Sequence, residues 1–145
     1  MRLRTQWPFA LGLIVILESL LGCGGVNLPV DPGTPGTPNL NPKFAADIAP
    51  IFDVSCAMSG CHAKSHPAKD LPLTATSSYD NTVGIPSTEQ PGILLVKPGD
   101  PDNSYLYQKL IETAATGDVM PPAGRLSSAQ IQTIRAWIAN GANKD

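Results

Sequence analysis

The sequence has no long basic run, and its formal charge of −2 is close to neutral. A nucleic-acid partner, which needs a clustered positive face, is therefore not expected. Cysteine is scarce. There are 3, an odd number that a simple disulfide framework does not explain. No stretch reads as a convincing β-strand. The uncharged apolar run from Pro8 to Leu17 (PFALGLIVIL) is about half of the ~20 residues that a bilayer-crossing helix needs. Gly and Pro, by contrast, are plentiful at 13 and 15 of 145 residues. The length suits one domain with a modest core.

Arg2 and Arg4 give the chain a positive start ahead of that apolar run, and Leu20-Leu21-Gly22-Cys23 follows it. Glu18, inside the segment, argues further against spanning. The pattern resembles a bacterial lipobox, in which a peptidase cuts before a cysteine that has received a lipid. The resemblance implies a signal peptide over residues 1–22 and a membrane anchor through lipid on Cys23. The protein is then exported and faces the periplasm or the outer surface of a bacterium. Export puts the other cysteines in an oxidising compartment. Residues 23–41 are rich in Gly, Pro, Thr and Asn and lack apolar periodicity, which predicts an extended, semi-stiff tether.

A domain is expected over residues 42–145. Asn41 is a good N-cap and Pro42 suits a first helical position. Phe44, Ile48, Ile51 and Phe52 then mark one face of a helix, with a kink or second short turn expected at Pro50. The region from His62 to Thr88 lacks clear periodicity, and Ser77-Ser78-Tyr79 reads as loop or short turns. Asp100 or Asp102 is expected to cap a helix carrying Tyr105, Leu106, Lys109 and Leu110. Ser127 and Gln130 form a capping-box pattern before Ile131, Ile134, Trp137 and Ile138, and Asn140-Gly141 supplies the stop. The expectation is all-α, with three or four short helices and long loops. So few apolar helix faces stabilise a domain of this size poorly, and a large buried apolar cofactor would supply what is missing.

Chemistry concentrates in Cys56-Ala57-Met58-Ser59-Gly60-Cys61-His62. Four readings of these residues stand side by side. Cys56 and Cys61 can close a disulfide, with His62 incidental. With His66 as a fourth ligand, the C-x4-C-H-x3-H spacing can hold zinc. A dithiol redox centre is expected to show C-x-x-C, which is absent here. The fourth reading is a resemblance to the haem-attachment site of c-type cytochromes, C-x-x-C-H, with four residues in place of two between the cysteines.

That resemblance extends along the domain. Ile48-Ala49-Pro50-Ile51-Phe52, Cys56 to His62, Lys97-Pro98-Gly99-Asp100-Pro101 with Ser104-Tyr105-Leu106, Met120-Pro121-Pro122, and Trp137-Ile138-Ala139-Asn140-Gly141-Ala142 occur in order. Together they resemble the small mono-haem cytochrome c domains of planctomycete and myxobacterial exported proteins. The resemblance implies a class I-like cytochrome c fold in which the N- and C-terminal helices pack together beside one covalent haem c. Cys56 and Cys61 are its expected thioether attachments and His62 the proximal iron ligand. Gly60 and Ser59 are small enough to let the longer loop bulge. For the distal ligand, Met58 and His66 are tied to the proximal side, so Met120 is expected, held by Pro121 and Pro122. Tyr105 and Trp137 are candidates for lining the pocket.

The implied function is single-electron transfer to and from a redox protein donor or acceptor, not enzyme catalysis. Filled axial positions leave no open site for a substrate, and His/Met ligation raises the potential. Two other readings remain. One is a non-redox structural or binding lipoprotein domain with a Cys56–Cys61 disulfide. The other is a haem enzyme or sensor in which Met120 leaves the iron free.

Overall fold

The computed structural model of the protein describes residues 36–122 and 124–145, so Cys23, the expected signal and most of the tether lie outside the described residues. A π-helical turn, Phe44–Ile48, runs directly into α1, Ala49–Ser55. A 3-10 turn at Ala68–Asp70 follows, then α2 (Ser78–Thr82), α3 (Tyr105–Leu110) and α4 (Ser128–Ala139). The described residues contain no strand. Three isolated bridges, Val83 with Val96, Pro86 with Leu94 and Leu94 with Ser104, are the whole of their β pairing. The architecture of the described residues is all-α with long loops, and none of the helices among them is long and apolar enough to cross a membrane.

The first helical segment buries the face its periodicity marked, with Phe44, Ile48, Ile51 and Phe52 all in the core. Its start differs from expectation. The Asn41 N–H is taken by Asn39 Oδ1 at 3.0 Å, so the chain turns there. The helix begins two residues on, where Asp47 Oδ2 reaches back to accept the Lys43 N–H at 2.8 Å. Pro50 has no N–H to offer the preceding turn, and that turn widens so that the Ala49 N–H meets the Phe44 carbonyl.

At the other end of the domain the capping box forms as the sequence predicts. Ser127 Oγ accepts the Gln130 N–H at 3.2 Å and Gln130 Oε1 accepts the Ser127 N–H at 2.8 Å. Ile134, Trp137 and Ile138 are buried and Ile131 packs at their margin. Gly141, at φ +101°, ends the helix in a conformation that side chains disfavour. Trp137 lies 5.5 Å from the Phe44 ring, and Phe44 meets the edge of Tyr79 at 5.0 Å. The first and last helical segments therefore pack on each other. Burying each of these large side chains contributes about 1.5–3 kcal/mol. Hydrogen bonds strap the same ends together, from the Asn39 N–H to Thr133 Oγ1 at 3.0 Å and from Asn140 Nδ2 to the Leu40 carbonyl at 3.1 Å.

Two local expectations change in the middle of the chain. Ser78 begins one helical turn, with Thr82 Oγ1 donating to the Ser78 carbonyl at 2.7 Å. Before α3 the N-cap is Ser104, not an aspartate. Asp100 is engaged elsewhere, accepting from Lys97 Nζ at 2.8 Å and from the Asn103 side chain.

Candidate functional site

Helix α1 ends at the first cysteine of the motif. The N–H groups of Cys56 and Ala57 both donate to the Phe52 carbonyl at 2.9 Å, which closes the helix. The chain then makes a turn in which the Cys61 N–H reaches the Met58 carbonyl at 2.9 Å. Gly60 takes φ +82°, with open space around its Cα, so glycine is needed there for backbone conformation rather than for room. Finally the His62 N–H donates to the Cys56 carbonyl at 3.0 Å. The four intervening residues thus form an outward loop, with Met58 exposed, while Cys56 is drawn back to Cys61-His62.

His62 is oriented by backbone. Its Nδ1 lies 2.8 Å from the Leu71 carbonyl oxygen. A carbonyl only accepts, so this pairing assigns the ring proton to Nδ1 and leaves Nε2 with a free lone pair. Two further bonds fold the following loop onto the motif: Ala68 N–H to the Cys61 carbonyl at 2.7 Å and Leu73 N–H to the His62 carbonyl at 2.8 Å.

Cys56, Cys61, His62 and Met120 all border one cavity of about 390 Å³. Its walls are largely aliphatic, from Leu71, Leu73, Ile85, Leu95, Leu106 and Leu110. The volume falls within the range of about 300–1,000 Å³ typical of small-molecule and cofactor pockets. Met120 arrives from a loop far downstream, and its N–H donates to the Lys109 carbonyl at 3.1 Å, which fastens that loop to α3. Pro121, joined to it by a cis peptide bond, is buried and also borders the cavity.

Cys56 and Cys61 are both free thiols. Burial, and secondarily the neighbouring Cys61, push the Cys56 thiol up to about 12. Cys56 therefore keeps its proton at neutral pH, which is unsuited to the thiolate chemistry of a dithiol redox centre.

Of the other sequence candidates, Met58 and His66 do not border the cavity. His66 is exposed, with a left-handed backbone and Nδ1 at 3.0 Å from Ser65 Oγ. The described residues contain no cluster of three or more His, Cys, Asp or Glu arranged to hold a metal, so the C-x4-C-H-x3-H zinc set is not assembled. Tyr105 borders the cavity, whereas Trp137 packs into the core against Phe44.

Lys109, expected only as a position on a helix, also belongs to this region. Lys109 is buried at the cavity wall beside Glu89. Glu89 also meets Lys69 at 3.2 Å and accepts from Tyr105 Oη at 3.1 Å. Burial opposes its ionisation, but hydrogen bonds from Lys69 and Tyr105 and the charges of Lys109 and Lys69 outweigh that and hold its carboxyl below the usual range. A lysine among Tyr105, Leu106 and Leu110 carries no sequence signal of burial. Only the fold brings Glu89 to it.

No family model, no curated protein and no solved structure matches the chain.

Proposed function

We propose that the protein is an exported, lipid-anchored carrier of single electrons, holding one covalent haem c in this cavity within a cytochrome c-like fold. The observation that carries the reading is the meeting of Cys56, Cys61 and His62 with Met120, from a distant part of the chain, around one apolar cavity. The donor set fits a haem. Two thiols, Cys56 and Cys61, would suit thioether bonds to a haem, and the imidazole of His62 and the thioether of Met120 would suit its iron. When bound, the haem iron supplies the one-electron chemistry.

The chain's own residues do the rest. Cys56 and Cys61 fix the group to the end of α1. The Leu71 carbonyl engages His62 Nδ1 and would leave Nε2 to hold the iron, a supporting contact of the kind that tunes metal sites. The α3 tether at Lys109 fixes the backbone of Met120. The aliphatic walls limit water, which together with Met/His ligation favours a raised potential. The partner is a redox protein donor or acceptor, and lipid on Cys23 keeps the domain at a membrane.

The test is the reduced absorption spectrum of the denatured chain, after expression with haem-attachment machinery. Haem that stays with the chain supports the reading, and haem that washes away sinks it. Met120→Ala is expected to abolish the sulfur-to-iron charge-transfer band of the native oxidised protein. An unchanged band would remove Met120 as ligand.

A further inference from the structure

Residues 111–119 carry the chain from the end of α3 to Met120, and they bury little. Only Ala114 and Val119 are half-buried, and the other seven are exposed. A stretch with so few apolar contacts opens easily unless polar contacts hold it. The ion pair of Glu112 with Arg125 joins two exposed side chains, where such pairs contribute little.

Two contacts with α3 hold the stretch more firmly. The buried Tyr105 donates its hydroxyl proton to the Thr116 carbonyl at 3.0 Å, and the Met120 N–H donates to the Lys109 carbonyl at 3.1 Å. Tyr105 and Lys109 are four residues apart on α3, which places them one above the other on one face. Thr116 and Met120 are also four residues apart. Helix and loop are therefore pinned at two points, one of them made by a side chain.

That side chain has one proton and a second acceptor in reach, Glu89 Oε2 at 3.1 Å. Thr116 stays in the corner whichever acceptor is served. When the proton turns to Glu89, the hydroxyls of Tyr105 and Thr116 stand 3.4 Å apart, and Thr116 Oγ1 reaches the Glu89 carbonyl at 3.3 Å.

We infer that the Tyr105 hydroxyl is a positioning group for Met120: by holding Thr116 to α3 it fixes the loop that presents the thioether to the cavity. The inference rests on the haem reading above. Tyr105 acts here through the loop and not on the sulfur itself, as the supporting contacts of a metal ligand do.

The test titrates imidazole into the oxidised holoprotein, where it competes with Met120 for iron, and follows the sulfur-to-iron charge-transfer band. Tyr105→Phe keeps the ring and removes the hydroxyl. It is expected to lower the imidazole concentration that displaces half of the Met120 by about tenfold. Glu89→Gln removes the carboxylate's charge but leaves the Tyr105–Thr116 bond, so its midpoint should match wild type. An unchanged midpoint in Tyr105→Phe overturns the inference and leaves the haem reading intact. A shift in Glu89→Gln as large as that in Tyr105→Phe also overturns it, because the effect then belongs to the carboxylate. Amide hydrogen exchange gives a second readout. The Met120 N–H should exchange faster in the Tyr105→Phe holoprotein while α4 keeps its rate. In the wild-type holoprotein that N–H should be protected to about the level of α3. Exchange there at the rate of an open chain overturns the inference even if Tyr105→Phe fails to fold. A wild-type chain that holds no haem overturns both readings.

Discussion

Where residues 44–55 meet α4, side chains fill the interior. Ile48, Ile51, Phe52, Ile134, Trp137 and Ile138 are at most 1% exposed. A short way along the chain, from Cys56 to Leu73 and across to Leu95, Leu106 and Met120, similarly apolar surface lines a cavity of about 390 Å³. Both regions are built from aliphatic side chains, yet one is complementary to itself and the other is not. Apolar walls without atoms between them forgo the dispersion contacts that close packing supplies. The difference assigns separate duties. The paired terminal helices hold the domain together, and the loop-built half leaves the space that the proposed haem would fill.

The comparison can be broken first at its filled side. Trp137→Ala should cost about 3–5 kcal/mol, because the indole is fully buried against the Phe44 and Tyr79 rings and its removal leaves a large cavity. Denaturant unfolding reads this, and a loss under about 1 kcal/mol, well short of that range, would show that the helix pair is not the stabilising half. A smaller effect is expected from the ligand side. Gly60→Ala meets no steric obstacle but must hold a left-handed backbone, so it should cost about 1–2 kcal/mol. Hydrogen exchange should quicken around residues 56–73 while α4 keeps its protection. Equal loosening of α4 would contradict the division of duties.

The smallest effect concerns the charged corner. Glu89 has its folded-state pKa held below the ordinary value, so its contribution to stability is present above that ordinary value and is lost as pH falls through the folded one. Glu89→Gln should therefore be less stable than wild type at neutral pH. The gap should close as the solution is acidified below about pH 4.3, the ordinary range of a glutamate. A gap that stays constant down to full protonation would show that the carboxylate's charge plays no part.

The parts of this structure that obey a period were legible in the sequence. Phe44, Ile48, Ile51 and Phe52 bury together because spacing puts them on one stripe, and Ser127 with Gln130 caps α4 through contacts only three residues apart. Caps that depend on competition were not legible. Asn41 and Asp100 have suitable side chains, but Asn39 turns the chain before Asn41, and Lys97 and Asn103 occupy Asp100. Cys56, Cys61, His62 and Met120 could be named from the sequence because their residue types carry the chemistry. The backbone carbonyl of Leu71 that orients His62 has no residue signature at all. Nor do Leu71, Leu73 and Leu95 of the cavity wall, which come from loops without periodicity. Lys109 was visible only as one more position on a short helix, because its partners Glu89 and Gly117 reach it through the fold.

A covalent haem on Cys56 and Cys61 is the central claim. The direct measurement is the mass of the intact chain, and of its peptide spanning Cys56 to His62, after expression with haem-attachment machinery. A mass gain of one haem, carried on that peptide and absent from a chain with both cysteines replaced by alanine, is the predicted result. A peptide of unmodified mass, with its cysteines free or joined to each other, would contradict it.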